Sequence, residues 1–498
     1  MSGIIFNKLK FIKEMKRLLI NFIFFIIFAF LSGLLSAQTA PDITWEQTYV
    51  GGSWEWAWQT EQTTDGGYIT VADTKSYGNG AWDIWLIKTD ENGDTLWTKT
   101  FGGQYEERGQ SVQQTSDGGY IILGTTETYA DEGYDIWLIK TDSNGSELWS
   151  KNYNGDLWDW GYYVRQTNDG GYIITGCTGD INIDWNVWLI KTDSNGNLTW
   201  SKDYGETGVN NFDVGHSVEQ TQDGGYILTG YTYSYGAGSS DVWLIKTDNV
   251  GDTAWTKTYG GTDPDIGYSV KQTVDNGYII AGYTKSYGEG DYDAWLIKTD
   301  ADGNIIWDKP VGGPEDDRIY SVQQTTDNGF IFAGFTDSFG AGDYDMYLIK
   351  TANNGDTLWT KTIGNERSNR ARSVVQTSDG GYALAGDKYD GLDDGEYNVY
   401  FVKINPEQGS VIYEKIQTEY SVYCYPNPTN GIFSIRNDKK SERPLSIEII
   451  NINGQIVKQL TISSEQFTID LSMHTKGVYF IKIQIDDLFY TEKIVLIK

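Results

Sequence analysis

Hydrophobic and polar residues alternate along most of this chain in short runs that are typical of β-strands. The runs RGQSVQQT, DGGYIILGTTE, DIWLIKTD and ELWSKNY, between residues 108 and 153, show the pattern once in full. Each run is rich in β-branched and aromatic residues, and Gly, Asp, Asn or Ser separates it from the next. The pattern therefore predicts a unit of four strands joined by tight turns.

This four-strand unit recurs seven times. Its third run carries an aromatic residue followed by Leu-Ile-Lys or a variant, at Trp85, Trp137, Trp188, Trp243, Trp295, Tyr347 and Tyr400. Consecutive copies lie 51 to 55 residues apart. A fixed period of this size indicates a repeat architecture in which each unit buries its faces against its neighbours.

The strand count predicts how the array closes. The first three strand types occur seven times, whereas the fourth has an extra copy at the front, ITWEQTY around Trp45, and a weak copy at the end, VIYEKIQT around Tyr413. A terminal strand that completes a sheet begun at the other end of the chain closes a ring without an open edge. We predict an all-β, seven-bladed β-propeller of four-stranded blades rather than an open solenoid. Either terminal strand could complete the last blade.

Two kinds of short turn join the strands within a unit. A T-x-D-G-G or T-x-D-N-G turn follows the first strand, with its aspartate at Asp65, Asp117, Asp169, Asp223, Asp275, Asp327 and Asp379. A turn of the T-D-x-N-G-D type, as at residues 90–94, follows the third strand. Both suit tight hairpins that need a positive φ. Calcium is an alternative for the second kind; no other cofactor is expected.

The two longer connections lie on the opposite face, where loops on a rigid scaffold usually carry function. In six repeats an acidic residue stands seven positions before the glutamine of a Gln-Thr pair, and in the seventh repeat Asn369 takes its place. The six acids are Glu55, Glu107, Asp159, Asp213, Asp265 and Asp317. These carboxylates could form a site for a cation or a basic ligand near the central opening. They could instead accept backbone N–H bonds, and their strict recurrence favours this structural role.

Departures from the repeat are the better indicators of a binding site. Trp54, Trp56 and Trp58 in the first repeat, and Trp158 and Trp160 in the third, lie in or beside the long loops. Of these we take Trp54, Trp56, Trp158 and Trp160 as candidate ligand contacts. Such rings could stack on sugars or could pack between blades. His216 stands where other repeats have Gln110, Tyr268 or Tyr320, which indicates a variable position rather than a catalytic base. The sequence contains no nucleotide-binding loop or nucleophile elbow, and we nominate no catalytic residue.

The charge distribution narrows the possible partners. The net charge of −31 includes a leader of +4 and a tail of +1, which leaves −36 on the array. Such a surface repels nucleic acid, so no nucleic-acid partner is expected. The chain has two distant cysteines, Cys177 and Cys424, which we interpret as separate thiols rather than a disulfide.

The first 37 residues have the pattern of a signal peptide. Five basic residues precede an apolar stretch that starts at Leu18, and the small pair Ser36-Ala37 follows it,. An uncleaved membrane anchor is the alternative, because Leu18 to Leu35 is nearly long enough to span a bilayer.

The tail has a different character, with more basic residues and fewer glycines. The runs GIFSI, IEIININGQIV, IDLS and GVYFIKI, with a turn at Asn453-Gly454, predict a small antiparallel β-sandwich,. Residues 423–498 closely resemble the C-terminal sorting domain of the type IX (Por) secretion system of Bacteroidetes. The matching positions are Tyr425, Pro426, Asn427, Pro428, Gly454, Gly477 and Tyr479. The resemblance implies export to the cell surface or beyond, with the secretion machinery as a partner.

The repeats, over about residues 43–416, resemble the β-propeller repeats of secreted bacterial proteins, a resemblance that implies a fold but no activity. We expect a signal peptide at 1–37, a propeller at 38–419 and a sorting domain at 420–498, in a monomeric protein. The first functional hypothesis is a non-catalytic module that binds an extracellular glycan or protein through the long-loop face. The alternatives are an extracellular polysaccharide hydrolase or lyase, and a purely structural or adhesive protein.

Overall fold

A computed structural model describes residues 39–130, 133–155, 157–180, 184–206, 208, 211–389, 391, 395–407, 422–425, 432–437, 445–451, 456–462, 466–485 and 488–496. The chain divides into two compact units, Met1–Gln408 and Gly409–Lys498. The predicted signal peptide, the run around Tyr413 and the predicted boundary at 419/420 lie outside the described residues. Within those residues, no helix is long and apolar enough to cross a bilayer.

The first unit contains seven antiparallel sheets, one for each repeat, and each follows a four-strand path from an inner to an outer strand. Strands are numbered in chain order. The inner strands are β2 (Glu55–Gln62), β6 (Glu107–Gln114), β10 (Trp158–Gln166), β15 (Val214–Gln220), β19 (Asp265–Gln272), β23 (Asp317–Gln324) and β27 (Asn369–Gln376). The second strands are β3 (Tyr68–Thr74), β7 (Tyr120–Thr126), β11 (Tyr172–Asp180), β16 (Tyr226–Thr232), β20 (Tyr278–Thr284), β24 (Phe330–Thr336) and β28 (Tyr382–Tyr389).

The remaining strands of each sheet lie further from the centre. The third strands are β4 (Asp83–Thr89), β8 (Asp135–Thr141), β12 (Asp184–Thr192), β17 (Asp241–Thr247), β21 (Asp293–Thr299), β25 (Asp345–Thr351) and β29 (Tyr397–Ile404). The outer strands of the first six blades are β5 (Thr95–Phe101), β9 (Glu147–Tyr153), β13 (Leu198–Tyr204), β18 (Thr253–Tyr259), β22 (Ile305–Val311) and β26 (Thr357–Ile363). The third sheet has one addition, β14 (Asn211–Phe212), which pairs in parallel with β12.

The seven sheets form a closed ring. Each inner strand contacts the inner strand of the next blade, and β27 of the last blade contacts β2 of the first. The outer strand of the seventh blade is β1 (Ile43–Tyr49), which pairs with β29. The predicted seven-bladed propeller is confirmed, and the N-terminal strand is the one that completes the last blade.

The recurrent Leu-Ile-Lys run lies in the third strand, where both faces are buried between neighbouring blades. Even its lysine is buried, with at most 8% of the side chain exposed. Each lysine binds the aspartate of the turn that follows the first strand: Lys88–Asp65, Lys140–Asp117, Lys191–Asp169, Lys246–Asp223, Lys298–Asp275, Lys350–Asp327 and Lys403–Asp379. The lysine also donates to the main-chain carbonyl of the next residue, as Lys298 does to Thr299 at 2.8 Å. The conserved spacing of Lys and Asp within each repeat therefore ties a turn to the blade core.

Two further contacts recur at every junction between blades. The side-chain oxygen of the glutamine that ends each inner strand accepts an N–H from the turn of the preceding blade, as in Thr64 to Gln114 at 2.8 Å and Ser378 to Gln62 at 2.7 Å. An aromatic side chain of each outer strand packs edge to face against the aromatic residue that begins the second strand of the next blade. Trp97 and Tyr120 lie 5.8 Å apart, and Trp45 with Tyr68, 6.0 Å apart, completes the circle. These tryptophans pack against the core at the blade junctions, with Trp359 buried and the others half-buried.

The second unit contains two antiparallel sheets. One has the order β30 (Val422–Tyr425), β31 (Ile432–Asn437), β34 (Gln466–Asp470); the other has the order β33 (Ile456–Ile462), β32 (Leu445–Asn451), β35 (Gly477–Ile485), β36 (Leu488–Leu496). Ile447, Ile449, Ile469, Leu471 and Ile481 are buried. The two sheets agree with the predicted all-β tail, and their packing as a sandwich stays a prediction.

We expect Trp45→Ala to lower the free energy of unfolding by about 2–3 kcal/mol, because its ring packs edge to face on Tyr68 and Phe401 at the junction that β1 completes,. Urea unfolding followed by tryptophan fluorescence measures the change. Thr48→Ala is the matched control, since Thr48 is exposed on the same strand. Equal stability of the two variants would contradict the importance of β1 for closure.

Candidate functional site

The centre of the ring contains a cavity of about 850 Å³, lined mainly by the inner strands. Each inner strand runs from the long-loop face to the short-loop face. Residues near its start therefore surround one end of the cavity, which we call the mouth, and residues near its end surround the other, which we call the floor. The size lies within the usual range for small-molecule sites.

A β-bulge in every inner strand directs one side chain into this cavity. The pairing with the second strand skips one residue in each blade, as between Ala57 and Gln59. A bulged residue has no cross-strand partner, so its side chain can point away from the sheet. The seven skipped residues, here called the waist ring, are Trp58, Gln110, Tyr162, His216, Tyr268, Tyr320 and Arg372.

Six of these seven side chains form a continuous stack around the cavity. The Arg372 guanidinium carbon lies 4.8 Å from the Trp58 ring centroid and 5.0 Å from that of Tyr320. Tyr268 lies edge to face with Tyr320 and stacks on His216, with centroids 4.2 Å apart. His216 in turn meets Tyr162 at 5.1 Å. Only Gln110 interrupts this wall.

His216 is a neutral hydrogen-bonding group in this wall. Burial lowers its pKa to about 4, against the effect of its hydrogen bond to Gly267. Its Nδ1 lies 2.8 Å from the Gly267 carbonyl oxygen, which can only accept, so Nδ1 carries the proton,. Nε2 is then an acceptor. Because this pKa lies well below neutral, His216 is a weak base and is poorly suited to take up a proton near pH 7.

Charged side chains cross the cavity at its floor. Glu61 of the first blade and Arg165 of the third form an ion pair at 3.0 Å. Lys271 of the fifth blade donates to the Tyr163 hydroxyl at 3.1 Å, and Arg165 donates to the same oxygen at 2.5 Å. The Glu61–Arg165 and Lys271–Tyr163 contacts join blades that are not neighbours, and they lie across the floor of the cavity.

The mouth is ringed by stacked aromatic and guanidinium groups. The mouth ring consists of the seven inner-strand residues that stand two positions before each bulged residue: Trp56, Arg108, Trp160, Val214, Ile266, Arg318 and Arg370. The residue just before or at the start of the third strand supplies a second ring outside it, the rim ring: Trp82, Tyr134, Trp185, Ser240, Tyr292, Tyr344 and Tyr397.

Mouth residues stack on the rim residue of the preceding blade. The Arg108 guanidinium lies 3.8 Å from the Trp82 centroid, that of Arg318 lies 4.3 Å from Tyr292, and that of Arg370 lies 4.5 Å from Tyr344. Trp160 meets Tyr134 at 5.1 Å. Such cation–π and ring contacts hold the groups in fixed orientations. The mouth is thus a preformed surface of flat rings with donors between them.

The four predicted tryptophans lie in this region. Trp56 and Trp160 line the cavity at its mouth. Trp54 lies 5.8 Å from Trp56, and Trp158 lies 4.9 Å from Tyr134, so these two flank the mouth at the blade junctions. All four are half-buried. The rings pack at blade junctions and are partly exposed, and their stacking on sugars stays a prediction.

The six predicted acids are not accessible from the cavity. Glu55, Glu107, Asp159, Asp213, Asp265 and Asp317 are all fully buried. Glu107 accepts the Gly103 N–H at 2.7 Å and bonds from Thr126 and Thr128. Its own N–H donates to the Trp82 carbonyl of the preceding blade at 2.8 Å. These contacts support the structural alternative: the acids hold the long loops and the junctions in place, and they do not meet as one ligand site.

The turns considered for calcium are closed by their own backbone. Asp90 accepts the N–H groups of Asn92 at 2.8 Å and Asp94 at 2.9 Å, and Asp142, Asp193, Asp248 and Asp300 repeat this arrangement. This is the hydrogen bonding of a hairpin turn. Calcium at these turns stays a prediction.

The sequence missed most of the mouth and waist residues. Residues 39–407 contain six arginines, and five of them lie on inner strands: Arg108, Arg165, Arg318, Arg370 and Arg372. The available signal was the position that His216 occupies, because the residue type there differs from repeat to repeat while the Gln-Thr pair that follows it recurs. Applied to all seven repeats, the same comparison identifies the whole waist ring.

The tail positions are described in part. Tyr425 ends β30, Gly477 begins β35, and the buried Tyr479 donates its hydroxyl to the Thr475 carbonyl at 2.7 Å. Pro426, Asn427, Pro428 and Gly454 lie outside the described residues. Cys177 is a buried free thiol, and the side chain of Cys424 is not described.

Comparison with known proteins identifies the tail. Residues 423–498 match the family model of the secretion system C-terminal sorting domain. This confirms the predicted sorting domain, and the chain is exported by the type IX secretion system to the cell surface or the extracellular space.

Other comparisons find proteins of low sequence identity. The regulatory protein FlaEY of Caulobacter vibrioides is 24% identical over 180 residues, which are 31% of this chain and 19% of FlaEY. PorZ, a surface component of the type IX secretion system of Porphyromonas gingivalis, is 12% identical, with 92% of this chain and 61% of PorZ covered and a TM-score of 0.41. The Pan2 WD40 domain of Neurospora crassa is 10% identical, with 71% and 96% covered and a TM-score of 0.39.

Carboxylates at the blade junctions predict a pH dependence of stability. A Cβ atom at Gly312 would lie 2.0 Å from Asp293 Oδ1 and 2.6 Å from Asp317 Oδ2, so the two acids of adjacent blades face one another. Burial, with the charge of Asp317 as a smaller cause, raises the pKa of Asp293 to about 6. Burial likewise raises the pKa of Asp83 to about 6. The folded state therefore binds more protons than the unfolded state between about pH 4 and pH 6.

We expect the unfolding temperature to rise as the pH falls from 7 to 5, because protons are taken up by folded but not by unfolded carboxylates in this window. Asp293→Asn should weaken this dependence, as it removes one of the groups with a raised pKa. Differential scanning fluorimetry at several pH values measures it. Asp302→Asn, in an exposed turn, is the control. An unchanged slope in Asp293→Asn would contradict the assignment.

Proposed function

We propose that the exported propeller is a binding module that holds an extracellular glycan at the mouth of its central cavity. The observation that supports this most strongly is the mouth itself, where Trp56, Trp160 and three arginines are stacked on the rim ring. The long loops that carry part of this surface are fixed by buried hydrogen bonds. A surface of this kind loses little conformational entropy when a ligand binds.

The chemistry of the mouth suits a sugar. Flat aromatic faces can cover the apolar faces of sugar rings, and the half-buried Trp56 and Trp160 offer such faces on two blades,. Guanidinium groups present several N–H donors in a fixed plane, which suits the many oxygens of a carbohydrate. Acceptors are available below the mouth, where Gln110 and His216 line the same cavity.

Variation among the blades gives independent support. The junction contacts repeat almost unchanged around the ring, whereas the mouth and waist positions hold Trp, Arg, Gln, Tyr, His, Val and Ile. At the waist positions the scaffold alone requires no such diversity, because each bulge places its side chain outside the sheet pairing. A ligand without sevenfold symmetry would require different groups at equivalent positions.

We expect Trp56→Ala and Trp160→Ala each to weaken glycan binding by about tenfold or more, since central aromatic residues contribute most to binding. A glycan and protein array probed with the full-length protein identifies the ligand, and calorimetry measures the affinity. Trp149→Ala is the matched control, because that ring packs against Tyr172 at a junction far from the mouth.

Undiminished binding by the two mouth variants would refute the proposed site. Binding only to proteins on the array would refute a glycan ligand. New reducing ends or unsaturated products in the glycan sample would show a hydrolase or lyase in place of a non-catalytic module.

A further inference from the structure

Three blades place an arginine in the mouth ring, and two of these charges are neutralised locally. The Arg108 Nε donates to Glu106 at 2.7 Å, and its Nη1 lies 3.4 Å from Asp73. The Arg318 Nε donates to Asp316, also at 2.7 Å. In both blades the partner acid stands two residues before the arginine. These guanidiniums therefore have a carboxylate before any ligand arrives.

Arg370 occupies the same position without this partner. Two residues earlier the seventh blade has Ser368 in place of the acid. The Arg370 Nε is buried and has no hydrogen-bond partner, and the described part of the chain places no carboxylate within ion-pair distance of its guanidinium. Asp387 interacts electrostatically with Arg370, but its carboxylate forms its ion pair with Arg372, at 3.4 Å. Arg370 is thus a half-buried cation in the mouth ring that forms no ion pair with a carboxylate of the described residues.

Aromatic contacts keep this cation in place. Its guanidinium carbon lies 4.5 Å from the Tyr344 centroid, 5.4 Å from Phe335 and 5.9 Å from Tyr397. Rings satisfy the face of a guanidinium but not the N–H donors at its edge. Those donors match the paired oxygens of a carboxylate or sulfate, and hydrogen bonds between charged groups are about twice as strong as neutral ones.

We infer that the ligand is an acidic glycan and that Arg370 binds its carboxylate or sulfate group. This inference rests on the proposed function, of which it specifies the ligand class. The charge of the whole propeller adds selectivity. Its outer surface is strongly acidic, whereas five of its six arginines lie on inner strands, so an anionic polymer meets attraction mainly at the central opening.

The test uses matched pairs of polymers that differ only in charge: polygalacturonate with its methyl-esterified form, and dextran sulfate with dextran. We expect the full-length protein to prefer the charged member of at least one pair. Arg370→Gln should weaken that binding by about tenfold to a hundredfold, and added salt should weaken it further. Arg370→Lys should retain part of the affinity, because it keeps the charge and loses the planar fork.

Two controls separate a binding role from a structural one. Arg318→Gln removes an equivalent arginine whose charge is already paired with Asp316, and we expect it to keep the preference for the charged over the neutral polymer that Arg370→Gln loses,. Arg370→Met keeps an apolar side chain between the rings, and we expect it to fold with the wild-type circular dichroism spectrum while binding as weakly as Arg370→Gln.

The outcomes are distinguishable. Equal affinity for the charged and neutral members, with loss in Trp56→Ala, would overturn the acidic ligand and leave the proposed function intact. Wild-type affinity of Arg370→Gln for the charged polymer would overturn the role of Arg370. Absence of binding to every polymer would overturn both proposals.

Discussion

The interaction on which this structure depends is the contact between neighbouring blades. Each third strand is buried on both faces, so a blade on its own would expose the apolar side chains that its neighbours cover. The hydrogen bonds from each turn to the next glutamine, and the ring pairs between outer and second strands, repeat this dependence at every junction. No blade has a complete core of its own, and the ring is the smallest unit in which all of the apolar surface is covered.

This constraint explains why so much of the sequence is repetitive and why a small part is not. Residues that form junctions must satisfy the same geometry seven times, and they recur accordingly. The bulged residues are released from that geometry, because they pair with nothing on the second strand. Diversity in the waist ring therefore costs the scaffold little, and these side chains line the cavity.

Much of the architecture could be predicted from the sequence because its causes are local and periodic. The spacing of Trp-Leu-Ile-Lys gave seven units, the Asp-Gly and Asn-Gly pairs gave the turns, and the recurrence of Glu107 and its equivalents favoured a structural role. The stack from Trp58 to Tyr162 could not be predicted in this way. It depends on bulges that shift one residue per strand, and contacts such as Glu61 with Arg165 join blades that are not neighbours, at no repeating separation. The choice of β1 to complete the last blade is of the same kind, since both ends of the chain carry a plausible strand.

Because β1 pairs with β29, the first strand of the propeller has no partner until the last repeat has been made. Its pairing spans some 360 residues, and long-range strand pairing forms slowly,. The sorting domain comes after β29 in the chain. A product that ends prematurely inside the repeats would therefore lack both β29, the partner of β1, and the segment that directs export. In this order of elements, only a chain in which all seven repeats have been synthesised carries the export signal.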